Sequence, residues 1–284
     1  MSRAFRLCYF GAILVTFPFE RILEFTQLPV WKLCVAPKPA LLTQALSAEY
    51  GLSIVSRDMS YQTIGLVSLL TIASLICSAL GLKRRISDAL SFISVSFLII
   101  YWSQFCFTTH ELTPIPVSLL LWNLFPAEFA PGPAIRNQRI HFTIAFLSAG
   151  ISKVLNGGAN WVLSDSLRNI LLLQNFLFEN AWLHSMQTEL NAWLVGQPKL
   201  CRFLSLVAVG LELSAPIALI RNRPLISFFI VSGLALMQLG ILLVVYINFV
   251  TWIPIYLFWI PESVWGRLDS YLQTIIEAFK GGRP

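Results

Sequence analysis

From Pro224 to Pro261 the chain carries no charged side chain, and this narrows the choice of fold more than any other feature. A helix that long, rising 1.5 Å per residue, overshoots a hydrocarbon core about 30 Å thick, which takes roughly 20 apolar residues per crossing. The run predicts a membrane span and a return, with a break near Asn248 and with Pro254 inside the returning piece. A second run, Ile64 to Leu82, is also uncharged and stops at Lys83, Arg84 and Arg85, the pattern of a span closed by a cytoplasmic positive cluster. Composition agrees. The chain is 56% hydrophobic and 12% charged with a mean hydropathy of +0.72, whereas soluble domains carry about a quarter charged residues.

Further apolar runs lie at Ala89 to Phe107, Pro116 to Ala130, Ile140 to Leu155 and Phe203 to Ile220. Met1 to Phe19 has the basic start and apolar body of a signal peptide, but Pro18, Phe19, Glu20 and Arg21 occupy the place of a small-residue cleavage site. It reads as a first membrane helix. The expected fold class is all-α, a polytopic transmembrane bundle of about seven or eight spans with interfacial amphipathic helices. Lys83 to Arg85, the Arg136 and Arg139 loop, and Arg221 with Arg223 then share one side, which puts the chain in the cell membrane with both termini cytoplasmic. The net charge of +6 is spread over these short connections, so it records orientation and gives no nucleic-acid surface. Residues 1–265 read as one transmembrane domain and 266–284 as a cytoplasmic-side amphipathic tail. There, Val264, Trp265, Leu268, Tyr271, Leu272, Ile275, Ile276 and Phe279 recur at helical spacing, with Arg267, Asp269, Gln273, Glu277 and Lys280 opposite.

Two outer segments, Glu20 to Tyr61 and Asn156 to Lys199, are too polar to span. The second holds Trp161, Trp182 and Trp193, for which interfacial anchoring is the default reading and substrate stacking the alternative. Cys8, Cys34, Cys77, Cys106 and Cys201 form no CxxC and no His–Cys cluster, so no metal site is expected; a disulfide among Cys34, Cys106 and Cys201 stays open. No nucleophile triad, phosphate-cradling loop or dinucleotide fingerprint is present. What remains is a short set of polar groups where they are expensive, and ionisable residues inside a membrane are functional candidates by default. Glu212 falls mid-run and must face protein or water. Lys153 lies near the outer end of its run, where its ammonium either snorkels to the headgroups or serves as a neutral base. His110 and Glu111 stand at an outer end, and a histidine there either shuttles protons or is simply solvated. Gln238 suits an interhelical hydrogen bond, and Asp165 with Arg168 suits a pair across one helical turn.

The stretch Ser148 to Trp161, with Ser-Ala-Gly-Ile-Ser-Lys-Val-Leu followed by Asn-Trp, resembles the vitamin K-dependent gamma-carboxylase-like family, also called horizontally transferred transmembrane domain (HTTM) proteins. Leu211 to Pro216, Leu-Glu-Leu-Ser-Ala-Pro, is similar to that family's next landmark. The resemblance implies a base at Lys153 and a polar partner at His110, on a non-cytoplasmic face where the topology also puts them. It implies a reduced quinone of the vitamin K kind as cofactor or substrate. Glu212, Trp161 and Gln238 would then line the substrate pocket. Three features are expected to depart from the pattern: the Lys153 to Trp161 spacing is longer, Gln238 stands where many relatives show a histidine, and the large lumenal domain that handles peptide substrate in the carboxylases has no counterpart. Some bacterial relatives, the sporulation-delaying protein B group, assist maturation of a secreted peptide. The leading expectation is thus a membrane enzyme or maturation factor acting on a lipid, quinone-like or peptide substrate. The alternative is a non-catalytic membrane subunit that binds a partner protein.

Overall fold

The computed structural model describes residues 2–19, 61–103, 114–125, 131–163, 165–178, 184–220, 224–245 and 249–281. All regular structure among them is helical: α1 (Arg3–Thr16), α2 (Tyr61–Leu80), α3 (Arg84–Ser103), α4 (Pro114–Leu124), α5 (Pro131–Gly157), α6 (Ser166–Phe178), α7 (His184–Val195), α8 (Pro198–Ser214), α9 (Pro224–Val245) and α10 (Glu262–Gly281), with short helical turns between them. Gln62–Leu80, Pro198–Leu219 and Pro224–Ile241 are long and apolar enough to cross a membrane. Within these three stretches only 33%, 28% and 17% of residues are buried inside the protein, so most of their apolar surface needs hydrocarbon around it. The expected all-α, membrane-embedded class is thereby met in its coarse form.

Two expectations change. Arg136 and Arg139 do not lie in a loop; they belong to the first turns of α5, because Pro131 and Pro133 are tolerated in a first helical turn and nothing after them breaks the ladder. The returning piece is not one helix but three successive short turns, Phe249–Trp252, Ile253–Tyr256 and Leu257–Trp259; Pro254 can supply no N–H to a longer ladder. Within the second polar outer segment, α6 and α7 occupy much of the chain, closing on Leu171, Leu194 and Cys201. Cys201 is a free thiol donating to the Leu194 carbonyl at 3.2 Å. Cys34 and Cys106 lie outside the described residues.

The chain divides into two compact units, Met1–Gln138 with Val250–Pro284, and Arg139–Phe249. In the first, α2 and α3 form a hairpin around a left-handed turn. Gly81 has φ 72°, and Leu82 N–H reaches back to the Cys77 carbonyl at 2.8 Å while Gly81 N–H reaches Ser78 at 3.1 Å, a Schellman closure that glycine enters without steric cost. Ser74, Ser78, Ser87, Ser91 and Ser94 are all buried along this pair. Small residues let helices approach closely where lipid supplies no hydrophobic drive, and Ser91 Oγ lies 3.2 Å from both Ser78 Oγ and Ser74 Oγ. Helix α1 packs on α2, α10 and the Ile253–Tyr256 turn. Its Ser2 cap accepts Phe5 N–H at 3.1 Å, and Asp269 of α10 accepts Ala4 N–H at 2.7 Å, satisfying two of the four orphan donors of the helix start. Behind the cap, Phe5, Tyr9, Phe10, Trp122, Phe258 and Trp265 form one aromatic core.

In the second unit α8 and α9 pack together and against α6 and α7. The close approach has a visible cause: a Cβ at Gly233 of α9 would lie 2.9 Å from Leu211 Cδ2 of α8.

Candidate functional site

The second unit brings Lys153, Glu212 and Trp161 into one place, and local sequence explains how. Gly150 and Lys153 are three residues apart and Gly157 four further, so all three share a face of α5. At Gly150 that face meets α8: a Cβ there would lie 3.0 Å from Glu212 Cβ and 3.1 Å from Leu213 Cδ2. Only a residue without a side chain admits Glu212 so near. One turn on, the Lys153 ammonium donates to Glu212 Oε1 and forms an ion pair with it. At Gly157 a Cβ would lie 3.0 Å from Trp161 Cβ, so this second glycine lets the Asn-Trp segment fold back. The Lys153 Nζ then sits 5.8 Å from the Trp161 ring centroid, within reach of a cation–π attraction.

Glu212 is set by its own helix end. Pro216 stands four residues after it and has no N–H for the Glu212 carbonyl, so the helix tightens into the 3₁₀ turn Ala215–Leu219, in which Ala215 N–H serves that carbonyl instead. The two side chains of the pair are unequal in access. Lys153 is 23% exposed and Glu212 only 5%. Glu212 Oε2 is fully buried without a hydrogen-bond partner among the described residues. A buried acceptor left unmade is costly, and here it lies beside an ammonium with further N–H groups to donate. The set offers one cation, one buried and unpartnered carboxylate oxygen and an indole face. It is suited to holding a polar head that both donates and accepts a hydrogen bond.

Of the residues expected in this site, three are together. Gln238 is buried at 5% on α9, and α9 packs on α8. His110, with Glu111, lies outside the described residues, as does Trp182. Trp193 is 55% exposed, in keeping with an anchor. Asp165 and Arg168 do pair across one turn at 3.6 Å, and Arg202 joins Asp165 at 3.3 Å, while Arg168 Nε also donates to the Val195 carbonyl at 2.9 Å. This network ties α6 to α7 and α8. No group of His, Cys, Asp and Glu among the described residues is arranged to hold a metal ion.

Sequence reasoning missed the charged centre of the first unit. Arg6 and Asp88 form a buried ion pair, with side chains 9% and 10% exposed. Arg6 also donates to the Ser78 carbonyl, and its guanidinium lies 5.1 Å from the Phe10 ring and 5.7 Å from the Trp122 ring. Trp122 Nε1 donates to Asp88 Oδ2 at 2.9 Å, and Asn123 Nδ2 to the Asp88 carbonyl at 3.2 Å. A second chain runs from Tyr9 through Ser118 to Gln138, at 2.6 and 2.8 Å. The available signal was Asp88 itself, an acid at the head of an apolar run. Arg6, Asp88, Trp122, Asn123, Tyr9, Ser118 and Gln138 each bond to a neighbour in the protein, so the cluster reads as an internal clamp. No known protein family, no curated protein and no solved structure matches the chain.

Proposed function

We propose that this chain is a multi-pass membrane enzyme or maturation factor acting on a lipid, quinone-like or peptide substrate at the non-cytoplasmic face, with Lys153 and Glu212 at its centre. The observation that carries this reading is the Lys153–Glu212 pair with its unpartnered carboxylate oxygen. Glu212 Oε1 holds the Lys153 side chain in place, and in this reading Lys153 acts as the base when it is neutral. Glu212 Oε2 would take a hydrogen bond from a substrate hydroxyl or N–H, and the Trp161 face would flank the reacting head. A reduced quinone fits the donor-and-acceptor demand, and the resemblance of Ser148 to Trp161 and Leu211 to Pro216 to the carboxylase-like family points the same way. In this reading about seven or eight spans cross the cell membrane, both termini are cytoplasmic, and His110 opens onto the same outer face as Lys153.

The test combines access with function. Single cysteines at Lys153 and His110, in a cysteine-free background in intact cells, are expected to react with a membrane-impermeant thiol reagent and to be protected by a quinone or lipid extract. Lys153→Ala is expected to abolish function while the protein still accumulates in membranes. Absence of labelling from outside sinks the pocket. A Lys153→Gln protein that keeps full function and copurifies with another membrane protein favours the accessory-subunit reading instead.

A further inference from the structure

The first unit contains a half-open cavity of about 210 Å³ where the start of α1, the segment after Leu257 and the start of α10 meet. Its walls are Phe5, Phe258, Trp265, Leu257, Ile260 and Ile135, with Ser2 and Glu262 at the polar edge. The rings hold each other in place. Phe5 lies 4.9 Å from Phe258 and 5.0 Å from Trp265, tilted and edge-on, and Asp269 pins α10 to the start of α1, so the walls are braced against closing the space. Ser2 Oγ is already engaged by Phe5 N–H, and Glu262 is exposed. The interior therefore presents hydrocarbon and aromatic carbon. An apolar cavity of about 150 Å³ stays dry and takes benzene, and this larger one accommodates a longer apolar group.

We propose that the cavity is a lipid site that holds the end of an acyl chain from a bilayer phospholipid. Three observations select that occupant. Helix α2 of the same unit turns Leu66, Leu69 and Leu70 out of the protein, at 69%, 65% and 46% exposure, so hydrocarbon is the medium this unit is built for. The walls carry no buried charge to greet a polar head. Finally, α10 leaves Leu268, Tyr271, Ile275 and Ile276 exposed, on the helical face that starts at the cavity wall with Trp265. That stripe is an apolar track leading out of the cavity, and a chain lying along it is gripped at one end. The site is separate from the Lys153 pair.

Gly266 lines the cavity, and a Cβ added there meets nothing within 4 Å, so the backbone admits a side chain at this position. The full chain in nanodiscs of palmitoyl-oleoyl phosphatidylcholine and phosphatidylglycerol is moved into mild detergent, and retained lipid is counted by native mass spectrometry. The parent is expected to keep a phospholipid that Gly266→Leu loses, with thermal midpoints unchanged. A parent that emerges bare, or a Gly266→Leu protein that keeps the same lipid, overturns the proposal. Should that variant fail to fold, a photoreactive residue in place of Ile260 decides. An adduct to a phospholipid acyl chain supports the site, whereas an adduct to an isoprenoid quinone or to another segment of this chain refutes it.

Discussion

Arg6 is only 8% exposed on α1, and its positive charge is tolerable there because Asp88 on α3 pairs with it, the Ser78 carbonyl accepts from it, and the Trp122 ring lies within cation–π reach while its Nε1 donates to Asp88. Removing one partner of such a pair leaves a buried charge uncompensated, which typically costs about 3–5 kcal/mol, while removing both is far milder. Asp88→Asn is therefore expected to destabilise the protein by about that amount in detergent unfolding, and Arg6→Met with Asp88→Asn to recover much of it. A single variant as stable as its parent would show the clamp to be idle. Gly150 acts by having no side chain. Gly150→Val is expected to force α5 and α8 apart and separate Lys153 from Glu212. An engineered cysteine pair at 153 and 212 should then cross-link several-fold more slowly than it does with Gly150 in place; an unchanged rate would mean that the glycine is dispensable.

At the level of single elements, α10 is the clearest amphipathic case. Its start is anchored through Trp265, 7% exposed, and through Asp269, yet Tyr271, Ile275 and Ile276 stay 70%, 51% and 41% exposed. An apolar stripe left open on a helix with a charged opposite face suits a membrane surface. Spin labels at 275 and 277, on opposite sides of the helix, are expected to differ: 275 relaxed by oxygen as in lipid, 277 by a water-soluble nickel chelate. Equal response to both would take α10 off the membrane. The end of α8 shows how little sequence is needed to set a site. Pro216, by withholding one N–H, tightens the turn that carries Glu212, and the pattern Glu-Leu-Ser-Ala-Pro contains that instruction in full.

Across the whole molecule, the division at Gln138/Arg139 and Phe249/Val250 predicts separate cooperative behaviour, since locally dense contact networks open as units. Asp88→Asn is expected to speed amide exchange in α1 to α4 and α10 and to leave α7 and α8 unchanged; uniform acceleration would mean one cooperative block. The sequence by itself determined the helical class and the membrane medium, because long uncharged runs such as Ile64 to Leu82 leave an isolated chain no other way to satisfy its backbone in hydrocarbon. It also singled out Lys153 and Glu212, because charge inside such runs is expensive whatever it touches. It did not disclose that the two meet, that Arg6 finds Asp88, or that α6 and α7 close over Leu171 and Leu194. Those outcomes depend on residues tens of positions apart arriving at the same point. Only tertiary structure decides that, through the close helix approaches that Gly150, Gly157 and Gly233 allow and through the few polar partners able to satisfy each buried charge.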